Sequence, residues 1–360
     1  MKTIHNFDEY LRQVEEAKIN PHKYWGDVAK DLEWFKPWGK VSSGDFSDLK
    51  IKWFEGAMTN MSSNCLDRHL KTQGRHTALI HVPNDPKQAP VKVSYIELHQ
   101  KVCRMASVFN NLGIKKGDVI CFYMGMVPEL MIGILAATRI GAIHSVVFGG
   151  FSAQSLAGRI QDCQAKLLVT NDGGYRGDKV IPLKQVCDEA LTDCPSIKTV
   201  VVHRHVKNSV RMQDGRDFWL HDLETTATTV FPATPMNAED PLFILYTSGS
   251  TGRPKGLMHT TAGYMVYAYH TFRNVFQLNA DDIFWCTADI GWVTGHTYLT
   301  YGPLLSGNTT VMYEGLPVYP DPGRFWHIID QLKVTHFYTA PTANPVYVSL
   351  HKTDPWPGAP

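Results

Sequence analysis

Between Ser94 and Val202 the chain alternates short apolar runs with helical patterns, and this alternation constrains the fold more than any other feature. Ser94-Tyr95-Ile96-Glu97 has the spacing of a capping box, in which serine and glutamate each satisfy a backbone N–H of the other's turn. Leu98, Val102, Met105, Val108, Phe109 and Leu112 follow at helical spacing, and Gly113 closes the pattern. Residues 119–123 read as a buried strand, 129–139 as a helix with Pro128 in its first turn, and 144–148 as the next strand. A further helix starts at Ser152, strands are expected over 166–170 and 198–202, and a helix lies over 183–191. Strands separated by helices cannot pair as hairpins, so they lie parallel in a sheet covered on both faces. The expected fold class is α/β, with parallel-sheet subdomains covered by helices. Residues 205–240, polar and irregular, are expected to connect two such subdomains. The alternation resumes with a helix from Thr261 to about Phe276, strands over 282–287 and 309–313, and a helix near 297–305.

At 360 residues and 44% hydrophobic content, the chain can bury more than one structural unit. Its 35 basic and 34 acidic residues nearly cancel, which argues against a polyanion-binding surface. Seven scattered cysteines contain no CxxC pair, and the start of the chain has no apolar leader. These features point to reduced thiols and a cytoplasmic location. The most apolar stretch, 127–148, is interrupted by Glu129, Arg139, Gly133 and Gly141, and reads as a buried helix followed by a strand rather than a membrane span. Residues 1–62 show weak periodicity, with Trp and Phe interleaved with lysine and acidic residues. Aromatic anchors packing onto a core explain them better than nucleic-acid binding.

The chemistry concentrates in Tyr246-Thr247-Ser248-Gly249-Ser250-Thr251-Gly252-Arg253-Pro254-Lys255-Gly256, which follows the apolar run Leu242-Phe243-Ile244-Leu245. Glycines let the main chain approach a ligand, and successive N–H groups line a concavity suited to an anion. Thr247, Ser248, Ser250 and Thr251 add hydroxyl donors, and Lys255 adds a point charge suited to phosphate. The ATPase pattern fails here, because Pro254 stands where its second glycine belongs and Gly256 where Ser or Thr should follow the lysine. The dinucleotide pattern fails as well, since Leu257-Met258-His259-Thr260 reads as a second strand rather than a helix.

Three further segments carry candidate chemistry. Gly149 and Gly150, in Phe148-Gly149-Gly150-Phe151-Ser152, join a strand to a helix N-terminus. Arg176 and Lys179, in Tyr175-Arg176-Gly177-Asp178-Lys179, flank a turn and can either grip a phosphate or stay solvated. In Asp289-Ile290-Gly291-Trp292-Val293-Thr294-Gly295-His296, Trp292 and Val293 either wall a small apolar pocket, with Thr294 as its polar contact, or pack a glycine-rich bend. His296 has no metal-ligand spacing near it and reads as structural.

A Gly/Ser/Thr hairpin between two strands, with lysine at its exit, resembles the phosphate loop of the AMP-forming adenylating enzymes. Further motifs narrow the resemblance: Phe35-Lys36-Pro37-Trp38, Asn64-Cys65-Leu66-Asp67-Arg68-His69, Phe148-Gly149-Gly150-Phe151-Ser152, Trp292-Val293-Thr294-Gly295-His296, Tyr301-Gly302-Pro303-Leu304 and Tyr338-Thr339-Ala340-Pro341-Thr342-Ala343. In order and spacing they look like the acetyl-CoA synthetase family. The resemblance divides the chain into an N-terminal region over 1–62, an AMP-binding, adenylate-forming domain over 63–343 and a divergent tail over 344–360. It implies activation of acetate with Mg2+ and ATP to acetyl-adenylate, then transfer to coenzyme A giving acetyl-CoA, AMP and pyrophosphate. The implied partners are these small molecules, with neither nucleic acid nor membrane among them.

By the same resemblance Thr247 and Lys255 are the catalytic residues, and with Ser248, Gly249, Ser250, Thr251 and Gly252 they hold the ATP phosphates. Gly149, Gly150, Arg176, Gly177, Asp178, Lys179 and Thr294 are implied at coenzyme A, and Trp292, Val293 and Thr294 at the acyl group. Two positions depart from the family. Arg176-Gly177-Asp178-Lys179 stands where Arg-Gly-Gly-Arg is usual, and Val318 where an asparagine usually touches coenzyme A. Family members run to nearly twice this length, so adenine-side, ribose-binding and C-terminal lysine motifs are expected to be missing. The 360-residue chain is therefore expected to be inactive alone. Alternatives are a propionyl-CoA or other short-chain acyl-CoA synthetase, or a non-catalytic nucleotide- or coenzyme A-binding fragment.

Overall fold

A computed structural model describes residues 4–45, 47, 50–247 and 254–340. Two parallel sheets organise them. The larger has seven strands in the order Asp217–Trp219, Thr199–His203, Leu167–Asn171, Val119–Tyr123, Ile143–Val146, Pro241–Thr247 and Lys255–Thr260, all parallel except the last. The smaller has five, in the order His336–Tyr338, Ile283–Cys286, Thr309–Tyr313, Thr77–Val82 and Val91–Ser94, again parallel except the last.

Side chains alternate faces along a strand, and here the alternation sorts residues into layers. Ile120 and Phe122 enter one apolar cluster while Cys121 and Tyr123 enter another on the opposite face of the larger sheet. In the smaller sheet Phe284 and Met312 join the first cluster, while Trp285, Val311 and Tyr313 pack outward against the helix Arg324–Leu332. The cluster shared by both sheets also contains the buried faces of Tyr95–Asn111, Pro128–Ile140 and Thr261–Phe276. These helices form a middle layer between the sheets. Ala153–Cys163 and Leu183–Ala190 cover the far side of the larger sheet. Both faces of each sheet are thus covered, as near-continuous apolar strands require.

The expected helix over Thr261–Phe276 and the strand over Thr309–Tyr313 have those bounds, and the stretch 127–148 is a helix followed by a strand. Residues 205–240 correct the expectation of a connector between subdomains. They hold the edge strand Asp217–Trp219, and the strands before and after them belong to the same sheet. A three-residue strand is too short to show a period of two. The helix expected near 297–305 is a π-helical turn over Gly295–Tyr301 running into Gly302–Ser306. At Gly295 an added Cβ would lie 2.1 Å from the Asp289 carbonyl oxygen, so only glycine permits this close entry. In the first 62 residues the helices Phe7–Ile19 and Pro21–Ala29 start at Asn6 and Asn20, whose side chains accept from Glu9 and Lys23 N–H groups. The expectation of aromatic anchors holds in part: Phe54 is buried, with Trp34 and Trp38 each 5.3 Å from its ring, whereas Phe7 and Phe35 are exposed.

Candidate functional site

The candidate residues lie where carboxyl ends of parallel strands leave the sheets. Ile143–Val146 lies on one side of Val119–Tyr123 and Leu167–Asn171 on the other, so the chain reverses its direction across the sheet at this central strand. Loops that diverge from such a point leave a crevice, the usual ligand position in open α/β sheets. Gly149 and Gly150 are in the loop after one neighbour, and Arg176–Lys179 follow the other.

Gly149 is held tightly. An added Cβ would stand 3.0 Å from the Met124 carbonyl oxygen and 3.5 Å from Leu183, and the Tyr123 hydroxyl donates to the Gly149 and Phe151 carbonyls at 3.1 and 2.6 Å. Leu183 also lies against Gly174, where an added Cβ would meet it at 3.1 Å, so one side chain joins this loop to the Arg176 hairpin. In that hairpin Arg176 and Lys179 are directly opposite in register, around the turn Gly177-Asp178. Gly177 has φ +66°, the left-handed conformation that two-residue hairpin turns require at their first position. Arg176, Asp178 and Lys179 are exposed and Gly177 is buried.

The segment after Ile283–Cys286 meets the glycine loop from the other sheet. The Trp292 ring is 6.4 Å from both Phe148 and Phe151 rings. An added Cβ at Gly291 would stand 3.2 Å from Phe148 backbone atoms. Trp292 is thus turned toward the residues flanking Gly149 and Gly150. Val293 faces elsewhere: it lines an apolar cavity of about 490 Å3 with Trp25, Trp53, Met258, Tyr267 and Thr297. Trp25 and Trp53 bring the N-terminal region into this wall, a role their sequence pattern did not show. Asp289, half-buried, accepts the Gly291 N–H at 2.6 Å, and burial pushes its carboxyl up to about 6. His296 is fully buried and stacked 5.4 Å from His144; burial holds its imidazole down to about 4, the neutral state of a packed core group.

The phosphate hairpin is described at its base. Thr247 and Lys255 are register partners and both are exposed. Ser248, Gly249, Ser250, Thr251 and Gly252 lie outside the described residues, as does the tail 344–360. Lys255–Thr260 continues from the hairpin into the cavity wall through Met258, His259 and Thr260, so one strand links Lys255 to the Val293 cavity. Among the described residues no group of three or more His, Cys, Asp or Glu side chains can hold a metal ion.

This fold and loop set define a class of protein, and the chain belongs to the family of AMP-binding enzymes, whose model matches residues 66–354. A model described as the acetyl-coenzyme A synthetase N-terminus matches residues 10–65. The chain is 49% identical over 339 residues to acetyl-coenzyme A synthetase 2 of Pseudomonas aeruginosa, covering 94% of this chain and 52% of that protein. It is 50% identical over 337 residues to acetyl-coenzyme A synthetase of Syntrophobacter fumaroxidans, covering 93% of this chain and 52% of that protein. Its structure is similar to that of acetoacetyl-CoA synthetase from Streptomyces lividans, with a TM-score of 0.85 and 26% identity over 94% of this chain and 51% of that one. The chain spans about half the length of the curated relatives it matches.

Proposed function

We propose that this chain is the nucleotide- and coenzyme-binding part of an AMP-forming acetate–CoA ligase. In the reaction a carboxylate oxygen of acetate attacks the α-phosphorus of ATP and pyrophosphate leaves. The sulfur of coenzyme A then attacks the carbonyl carbon of acetyl-adenylate and AMP leaves. The observation that carries the reading is the convergence of the glycine loop, the Arg176–Lys179 hairpin and the Trp292–Thr294 segment around the carboxyl ends of parallel strands, in a chain about half identical to acetyl-coenzyme A synthetases. Thr247 and Lys255 stand at the mouth of a hairpin suited to the β- and γ-phosphates, where donors stabilise charge on the departing pyrophosphate. Ser248–Gly252 would complete that cradle. Arg176 and Lys179, with Gly149 and Gly150, take the nucleotide end of coenzyme A, and Thr294 its thiol end. Mg2+ would enter on the nucleotide's phosphates, as this ion commonly does.

The seven cysteines form no disulfide, which supports a reducing, cytoplasmic setting. No helix among the described residues is long and apolar enough to cross a membrane. A cavity of about 490 Å3 beside Val293 leaves ample room beyond a two-carbon acyl group, which favours a second reading in which propionate or another short acid is the substrate.

The test is separate titration with ATP and coenzyme A. Lys255→Met is expected to weaken ATP binding about tenfold and leave coenzyme A unchanged, while Arg176→Ala with Lys179→Ala does the reverse. A chain indifferent to both ligands overturns the proposal, as does one in which the two sets of changes act on the same ligand. The relative affinities of the chain for non-hydrolysable acetyl- and propionyl-adenylate analogues separate the two acyl readings.

A further inference from the structure

The hairpin Gly174–Ile181 springs from the larger sheet, directly after Leu167–Asn171, yet it is held by the smaller one. Two three-residue strands do not keep a fixed shape alone. The strain is greater here because Arg176 and Lys179 face each other, and like charges directly opposite destabilise a ribbon. Neither cation forms an ion pair with another described residue. Leu183 packs against Gly174 at the base, and Tyr319 and Leu316 lie beside Gly177; the hydrogen-bonded restraint comes from two buried polar side chains. Asn84, 4% exposed and just beyond the strand Thr77–Val82, brackets the turn: its Nδ2 donates to the Gly177 carbonyl at 2.8 Å and its Oδ1 accepts the Gly177 N–H at 3.2 Å. Glu314, 2% exposed and next after Thr309–Tyr313, accepts from the His205 ring at 2.7 Å and from the Tyr175 N–H at 3.4 Å. Thr77–Val82 and Thr309–Tyr313 are neighbours in the smaller sheet, so both restraints share one rigid base.

We propose that Asn84 and Glu314 are positioning residues for coenzyme A, holding the hairpin so that Arg176 and Lys179 converge on one phosphate monoester. This rests on the reading of coenzyme A as the hairpin's ligand. Side chains of directly opposed residues rise from the same face of a ribbon, which gives two cations to one anion. A monoester carries nearly two negative charges at neutral pH, matching the pair, whereas each unit of a diphosphate bridge carries one. Fixing the turn beforehand removes an ordering cost that binding would otherwise bear. Asn84 makes no contact with the coenzyme in this scheme and acts only through Gly177.

The experiment compares coenzyme A with its 3′-dephospho form by calorimetry on the purified chain. The unaltered chain should prefer coenzyme A by about tenfold or more, the worth of a charge-assisted contact. Asn84→Ala should bring the two ligands within about twofold and leave ATP affinity unchanged. Asn84→Asp still accepts the Gly177 N–H but sets a carboxylate oxygen against its carbonyl, so its preference should fall between. Glu314→Ala should reduce the preference in the same way. Asn84→Ala with full preference and normal ATP binding overturns the positioning role and leaves the coenzyme reading intact. Loss of ATP and both coenzyme forms together means general support of the fold, which also overturns it. An unaltered chain indifferent to the 3′-phosphate overturns both this inference and the reading beneath it.

Discussion

Asp67, Arg139 and His99 show how a single residue's charge is decided by its neighbours. Both terminal guanidinium nitrogens of the buried Arg139 grip Asp67, at 2.7 and 2.8 Å, and hold its carboxyl well below the ordinary carboxylate range despite desolvation. His99 Nε2 lies 3.4 Å from Asp67, and that interaction, aided by Cys103, raises the imidazole to about 9. The folded value exceeds the unfolded one near 6.5, so the stabilisation is fully present below about pH 6.5 and is lost as pH rises through 9. The shift corresponds to at most about 3 kcal/mol, and Arg139 Nη2, 3.2 Å from the same ring nitrogen, opposes the second cation and lowers that ceiling. Asp67 has the opposite sign: its contribution is present above about pH 4 and is lost only in strong acid, so it adds no slope near neutrality. Above about pH 7.5 the buried neutral histidines such as His296 no longer titrate in either state, so chemical denaturation from pH 7.5 to 9.5 should show stability falling with pH, and His99→Gln should flatten the curve. An unchanged slope in the variant would assign the pH dependence elsewhere.

At the scale of elements, the helix Tyr95–Asn111 carries the plainest link from sequence to structure. Glu97 N–H donates to the Ser94 hydroxyl at 3.3 Å and Ser94 N–H to Glu97 at 2.8 Å, the reciprocal pair that the spacing implied. Ser94→Ala removes one partner and is expected to cost about 1 kcal/mol, read as a lower urea midpoint with unchanged slope. A cost near zero would mean that the buried face alone fixes the start of the helix. Capped helices and apolar strands were legible because caps, periods and run lengths are local. The same locality explains what was not. Thr77–Val82 has no flanking helical pattern to mark it, yet it is the strand beside which Thr309–Tyr313 pairs. Asn84 reads as part of a polar loop, and its partner Gly177 lies 93 residues away. Lys184 looks like a surface lysine, but it is fully buried, with its ammonium held by Asp188, Asp217 and the Arg211 carbonyl. Of the candidate site, the glycines and the turn cations were readable as motifs. Which of them meet is set by tertiary pairing that no local pattern encodes.

For the whole molecule, the decisive feature is that both sheets bury their inner faces against one helical layer. Leu79, Phe284 and Met312 from the smaller sheet share a cluster with Ile120, Phe122 and Val146 from the larger, and Leu135 in the intervening helix is fully buried among them. The hairpin restraints of Asn84 and Glu314 cross the same junction, so the site is assembled by both sheets rather than carried by either. A shared middle layer couples their stabilities, because neither sheet keeps its core when the layer is lost. Leu135→Ala should cost about 2–5 kcal/mol through lost burial and the cavity left behind. More specifically, native-state hydrogen exchange should show the amides of Phe122 and Met312 opening with the same free energy, and both should fall by the same amount in the variant. If protection at Phe122 falls while Met312 keeps its own, the sheets unfold separately. The candidate site would then lie at a junction between two independent units instead of inside one cooperative body.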